Sequence, residues 1–158
     1  MKTILGSIII TLLLTGCNSM RPENFKDSEP KLVLFDYFKG KTSAWGMFED
    51  RFGNVRRQFQ VDIEGQVEGN EITLDERFQY DDGEKDQRIW QIRKTGDHTF
   101  EGTADDVIGT AKGTVQGNAL NWTYDLNLKV GDSSYKVHFD DWMFLQPGGV
   151  MINRARLS

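Results

Sequence analysis

The chain reads as an all-β protein, an antiparallel up-and-down meander closing into a barrel of about 8–10 strands. Three observations carry this expectation. Turn signals recur at intervals of roughly ten residues, at Gly53-Asn54, Gly69-Asn70, Asp82-Gly83, Thr95-Gly96-Asp97, Gly117-Asn118, Gly131-Asp132 and Pro147-Gly148-Gly149. Between them the apolar residues alternate with a period of two, most clearly at Leu120, Trp122, Tyr124, Leu126, Leu128 and Val130, which is the strand period and gives one buried face and one wet face. Loops fitted to those turns bring the apolar rows of neighbouring strands face to face, and a slip of one residue would invert every side chain.

Composition bounds the rest. The length of 158 residues fits one domain, and only 38% of the residues are hydrophobic, while four Trp, four Tyr and ten Phe supply much of the apolar bulk. Any core must therefore lean on aromatic side chains. The formal net charge of −5 argues against a nucleic-acid surface, and a single cysteine excludes a disulfide within the chain.

The N-terminus reads as an address. Lys2 precedes an apolar run over residues 4–14, which as a helix rises only about 16 Å, short of the ~20 residues a membrane span needs. Residues 1–16 are expected as a signal peptide. It ends in Leu14-Thr15-Gly16-Cys17, which resembles the bacterial lipobox, where the cysteine becomes the first mature residue and carries lipid. Cys17 is then the lipidation site and takes no catalytic, metal or redox part. Asn18 follows it where an Asp would retain the protein at the inner membrane; by resemblance to the enterobacterial sorting rule this implies delivery to the outer membrane, with the protein on its periplasmic face. Residues 17–30, polar and holding two prolines, read as the lipidated cysteine and a tether. The barrel domain is expected over 31–158.

Residues 31–38, with Leu32, Leu34, Phe35 and Phe38, fit either a first strand or a short lid helix. Strands follow at 42–52, 55–67, 71–81, 85–94, 98–104, 107–116, 119–130, 135–145 and 150–157. A two-residue Gly69-Asn70 loop pairs Val67 with Ile72, Ile63 with Glu76 and Val61 with Phe78. The Gly117-Asn118 loop pairs Gly113 with Trp122 and Ala111 with Tyr124. Four-residue loops at 131–134 and 146–149 pair Val130 with Tyr135, Leu145 with Val150 and Met143 with Ile152.

This register sets charged residues in apolar inner rows. Glu76 lies between Leu74 and Phe78, and a three-residue loop at 82–84 puts Arg88 opposite Phe78, diagonal to Glu76. Asp141 has Arg154 expected on one side and Tyr124 on the other, and Asp50 faces Arg57. Burial demands such pairing. One reading makes these arginines and Tyr124 the polar end of an aromatic cavity holding an amphiphile's head group, with Glu76, Arg88, Trp90, Trp122, Tyr124, Asp141 and Arg154 as ligand-binding residues. The other makes the pairs structural. Gly109, Ala111 and Gly113, with Gly102 and Ala104, form inward rows of small residues opposite Leu126, Tyr124, Trp122, Trp90 and Arg88, which fits tight packing or room for a ligand.

Catalytic and metal sites find no support. His98 and His138 are too few for a zinc triad. Ser133, Ser134, His138 and Asp140 do not converge under strand alternation, and residues 81–86 lack the spacing of a calcium loop. Asp105-Asp106 and Asp140-Asp141 point to opposite faces. A carboxylate beside an arginine is expected to stay ionised with its pKa lowered, against acid–base work by Glu76 or Asp141. No cofactor is expected. Trp142 and Phe144 break the wet outer face; they fit packing under residues 31–38, or a contact with a partner or a membrane.

Six ordered blocks then carry a resemblance: Tyr37-Phe38-Lys39-Gly40; Ala44-Trp45-Gly46-Met47-Phe48-Glu49-Asp50-Arg51-Phe52-Gly53; the stretch Asp75-Glu76-Arg77-Phe78-Gln79-Tyr80-Asp81-Asp82-Gly83-Glu84; Arg88-Ile89-Trp90; the stretch from Ala104-Asp105-Asp106 through Gly109 to Gly113; and Phe139-Asp140-Asp141-Trp142-Met143. Together they resemble a family of proteobacterial lipoproteins catalogued as a domain of unknown function. The resemblance implies a lipocalin-like fold, and an association of the genes with neighbours for fatty-acid modification of the cyclopropane-synthase type implies lipid handling. Members usually run past the Asn153-Arg154-Ala155-Arg156 block for a further strand or so. The function expected is a non-enzymatic outer-membrane lipoprotein, monomeric, held to the membrane by its anchor and binding a fatty acid or lipid-like amphiphile inside the barrel. The alternatives are a solid-cored envelope interaction protein using Trp142 and Phe144 or Trp45, and an enzyme acting on a modified fatty acid.

Overall fold

The computed structural model describes residues 20–49, 52–130 and 133–158. Nine strands, β1 (Gly40–Glu49), β2 (Val55–Glu68), β3 (Glu71–Tyr80), β4 (Lys85–Lys94), β5 (Thr99–Thr103), β6 (Val107–Gln116), β7 (Ala119–Val130), β8 (Ser133–Leu145) and β9 (Met151–Leu157), follow one another in the chain. They lie side by side in the same order in one antiparallel sheet. The sheet curls into a half-barrel, the lipocalin-like up-and-down architecture, with β1 and β9 at the two ends of the hydrogen-bonded order. All nine expected strands are present. Strand twist and alternation explain the curl: on β3, Ile72 and Leu74 are buried on the concave face while Glu71 and Thr73 are exposed.

The tight glycine loops hold their expected register. Val67 pairs with Ile72, Ile63 with Glu76 and Val61 with Phe78, and Gly113 pairs with Trp122. Gly69 and Gly117 open these two-residue loops at φ +62° and +56°, the left-handed start that such a hairpin takes from glycine.

Longer turns differ. The β3–β4 turn centres on Asp82, one residue earlier than expected, with Tyr80 N–H bonding Glu84 O (3.0 Å), so Arg88 pairs directly with Glu76 and not with Phe78. β7 and β8 pair two residues tighter than expected, Val130 with Ser133, which sets Asp141 opposite Trp122 and Phe139 opposite Tyr124. Both shifts are even, so every side chain keeps its face. Between β8 and β9 the loop holds five residues, closed by Gln146 N–H to Val150 O (2.7 Å) and Gly149 N–H to Gln146 O (3.2 Å). Leu145 then pairs with Met151 and Met143 with Asn153. This odd shift turns Arg154 to the outer face, opposite Trp142 and exposed, so it leaves the expected inner site.

β6 also departs from its expected course. The ladder to β7 breaks between Ile108 and Lys112, and Val107, not Gly109, pairs with Leu126. Gly109 sits in this bulge at φ +73° and is exposed, so it takes no part in an inward small-residue row and Ala111 has no ladder partner in Tyr124. On the β4–β5 ladder Gly102 pairs with Ile92, not with Trp90.

Residues 31–38 resolve as a short helix, α1 (Leu34–Phe38). Leu32 N–H bonds Gly117 O (2.8 Å), Leu34 is buried, and the Phe35 ring lies 5.7 Å from that of Phe100. The carbonyl of Phe38 presses so closely on Gly65 that a Cβ there would stand 1.8 Å from it. These contacts plug the end of the half-barrel that holds the β2–β3, β4–β5 and β6–β7 turns.

Residues 20–30, within the stretch read as a tether, lie against the sheet. A 3-10 turn, Pro22–Phe25, lays Phe25 on the outer face, with ring centroids 5.8 Å from Trp142 and 5.2 Å from Phe144. Trp142 is thereby only 4% exposed. The outer aromatic pair is covered by the chain's own segment, ahead of residues 31–38. Residues 1–16, Cys17, Asn18, Asp50 and the Gly131-Asp132 turn lie outside the described residues.

Candidate functional site

Above the plugged end the concave face is filled. Trp90 and Trp122 meet edge to face at 5.5 Å and the Trp122 ring packs against Gly102 and Gly113, so these inward glycines make room for an indole. Only large side chains set against small ones interdigitate so closely. Next along the strands comes a band of polar side chains: Glu76 on β3, Arg88 on β4, Tyr124 on β7 and Asp141 on β8, with Asp106 reaching in from the β5–β6 turn. Beyond it, towards the open end, stand Phe78, Phe139 and Phe59. Tyr124 and Phe139 stack at 4.9 Å with planes 8° apart, and Phe59 and Phe78 approach to 5.9 Å. The polar groups are enclosed by aromatic rows on both sides.

Arg88 gives its hydrogen bonds to Asp106 and not to its ladder partner Glu76. Its Nε donates to both oxygens of Asp106 (3.1 Å each) and its Nη2 to Oδ2 at 2.6 Å. This charge-assisted fork outweighs burial, which disfavours the guanidinium's charge, and keeps Arg88 firmly protonated. Asp106 was not legible as a site residue. Its signal is the β4–β5 register, which, carried past the last pair Gln91 with Thr103, brings position 106 alongside Arg88.

Glu76 is therefore left with burial as its main influence. Its pKa rises to about 7, because desolvation exceeds the pull of Arg88 and of the Trp90 indole N–H that hydrogen-bonds it, while Asp106 and Asp141 push it further up. Asp141 is 7% exposed. Its pKa rises to about 6, again through burial first, with Asp140 adding and the Tyr124 hydrogen bond and Arg88 subtracting. The Tyr124 hydroxyl donates to Asp141 Oδ2 (3.2 Å) and is itself held far from ionisation by burial and by that carboxylate. The expectation that these carboxylates are lowered by arginine is thus reversed. Burial wins because one arginine is already engaged by Asp106 and the other, Arg154, faces outwards.

One atom in the band is unsatisfied: Asp141 Oδ1 is buried without a hydrogen-bond partner. Buried acceptors are ordinarily paired, and leaving one unpaired costs about 1–3 kcal/mol. The structure thus brings together Glu76, Arg88, Trp90, Trp122, Tyr124 and Asp141, and excludes Arg154. Arg57, expected beside Asp50, lies over the Tyr80 ring at 3.5 Å and forms ion pairs with Asp82 (2.8 Å) and Glu84 at the strand tips. Chemically, the band can accept hydrogen bonds, and Glu76 can exchange a proton near neutral pH. Two polar grooves of about 370 and 310 Å³ lie along the outer faces of β3–β6 and β1–β3, and neither is lined by these residues.

No curated protein and no solved structure matches the chain. A family model described as "Protein of unknown function (DUF3833)" matches residues 11–158. The match spans every structural element described above, and the chain belongs to the DUF3833 family.

Proposed function

We propose that this protein is a lipid-anchored outer-membrane protein, on the periplasmic side, whose curled sheet binds a lipid-like amphiphile on its concave face. The observation that carries the reading is the polar band of Glu76, Arg88, Tyr124 and Asp141 set between aromatic rows in a half-barrel plugged at one end by α1. Such a surface matches a molecule with a polar head and an apolar body. Phe48 and Leu128, both part-exposed on the concave side of the open end, extend the apolar stretch past Phe59 and Phe139. The lipobox-like Leu14-Thr15-Gly16-Cys17 with Asn18 supports the address.

Native mass spectrometry of the full chain, extracted from cells in mild detergent, tests this. Wild type is expected to carry a lipid-sized adduct that Asp141→Asn and Arg88→Ala reduce, and Cys17→Ser is expected to move the chain out of the membrane fraction. A chain without adduct overturns the binding reading, and a Cys17→Ser protein that stays in the outer membrane overturns the anchor.

A second reading, an interaction protein working through its outer surface, is favoured by Trp45, 72% exposed next to half-exposed Met47 on the outer face of edge strand β1. Trp142 no longer supports it, being covered by Phe25. Crosslinking in intact envelopes with wild type and Trp45→Ser separates the two readings.

A further inference from the structure

We infer that the head group held at this site is a hydrogen-bond donor, an ammonium or a hydroxyl, and not a carboxylate or a phosphate. The inference rests on the amphiphile reading above and narrows it. Three carboxyl groups, Glu76, Asp106 and Asp141, face one guanidinium, Arg88, and that guanidinium gives three hydrogen bonds to Asp106 alone. The Tyr124 hydroxyl is already given to Asp141 Oδ2, and the Trp90 indole acts on Glu76. The buried polar atom left unpaired in the band is an acceptor, Asp141 Oδ1, on a side chain more than nine-tenths buried in the concave face.

An anionic head would enter beside two carboxyls with the nearby positive charge already neutralised, and like charges at such range in a low-dielectric site repel strongly. A donor removes the unsatisfied acceptor and, if charged, balances the acidic excess. The carboxyls' acidity sets the pH sense. The groups facing Glu76 are Arg88 on β4, Asp106 in the β5–β6 turn, Tyr124 on β7 and Asp141 on β8; Asp140 also acts on Asp141. With Asp141 at about 6 and Glu76 at about 7, acidification turns acceptors into neutral acids, so a donor head is released and an anionic head is favoured.

The experiment titrates the full chain with decylamine, 1-decanol and decanoate, below their micellar concentrations, by tryptophan fluorescence at pH 8 and pH 5. Decylamine is expected to bind at least about tenfold more tightly than decanoate at pH 8, the size of one hydrogen bond to a charged partner, and to weaken at pH 5. Asp141→Asn should weaken decylamine about tenfold and leave decanoate unchanged or tighter. 1-Decanol separates ammonium from hydroxyl recognition, and tighter binding of either than of decanoate supports the inference. Decanoate binding tightest at pH 8 overturns it while the amphiphile reading stands. If none of the three binds, the amphiphile reading itself falls. Glu76→Gln serves as a second variant should Asp141→Asn lose its β-sheet circular dichroism.

Discussion

Trp122 lies so close over Gly113 that a Cβ at position 113 would stand 2.4 Å from the indole ring. The two residues are direct partners on the β6–β7 ladder, and Gly102 meets the far edge of the same ring. The contact fixes where the filled part of the concave face ends and the polar band begins, since Asp141 is the β8 partner of Trp122.

Gly113→Ala is therefore expected to destabilise the fold by about 1–3 kcal/mol, the usual cost of overpacking a well-filled core, in equilibrium urea unfolding. The indole is held edge to face by Trp90 at 5.5 Å, and Leu120 lies 3.5 Å from the same Cβ position. Gly109→Ala, in the exposed bulge with open space around it, acts through backbone strain alone. An unchanged midpoint for Gly113→Ala would show that the indole is not packed as described.

Stability should depend on pH in a direction opposite to that of common acid denaturation. A carboxyl whose folded pKa lies above its unfolded value binds its proton more tightly when folded, so it favours the native state while protonated and loses that contribution as pH rises through the folded pKa. With Glu76 at about 7 and Asp141 at about 6, the fold is expected to be more stable near pH 5 than near pH 8. Asp75, Asp82 and Asp125 are held below their ordinary values, and their effect falls at more acid pH, outside that window. Glu76→Gln should flatten the slope between pH 5 and 8. Urea midpoints across that range in both proteins check it, and a wild type more stable at pH 8 than at pH 5 would contradict the burial of these groups.

The way loops set register explains what was readable beforehand. Two-residue loops opened by Gly69 and Gly117 admit one geometry, so the pairings of Val67 with Ile72 and Gly113 with Trp122 followed from sequence. At residues 81–84 and between β7 and β8, several turn-forming residues stand in a row, and alternation constrains the register only modulo two. Glu76, Arg88, Tyr124 and Asp141 thus kept the concave face although their partners changed. The five-residue loop after β8 shifted by one, and Arg154 was lost to the outer face with it. The carboxylates' acidity was not legible at all, because it depends on Arg88 finding Asp106, a residue of a turn between strands.

Arg88 and Asp106 should couple in a double-mutant cycle. Arg88→Met and Asp106→Asn each leave the other charge half-covered, and the double variant is expected to be less destabilised than the sum of the singles. The side chains retain 24% and 40% of their exposure, so solvent screens the pair and the coupling is expected at about 1 kcal/mol, below that of a fully buried pair. Arg88→Met should also steepen the decline in stability towards pH 8, because its charge is what holds down the rise in pKa of both Glu76 and Asp141. Purely additive effects would place the Arg88 charge elsewhere than on Asp106.

Phe25 gives a test of how the N-terminal segment sits on the sheet. Its ring contacts Trp142 and Phe144, and Gly117 leaves no room for a Cβ beneath the carbonyls of Phe25 and Ser28. Phe25→Ala is expected to cost about 1–2 kcal/mol, less than a fully buried phenylalanine because the ring is only half-covered, and to red-shift the emission of Trp142 as water reaches it. A free tether would make the substitution silent in both measurements. In the Phe25→Ala protein, release of the segment should make Trp142 more accessible to an aqueous quencher such as acrylamide than in wild type, and equal quenching would show that the segment stays docked through its other contacts.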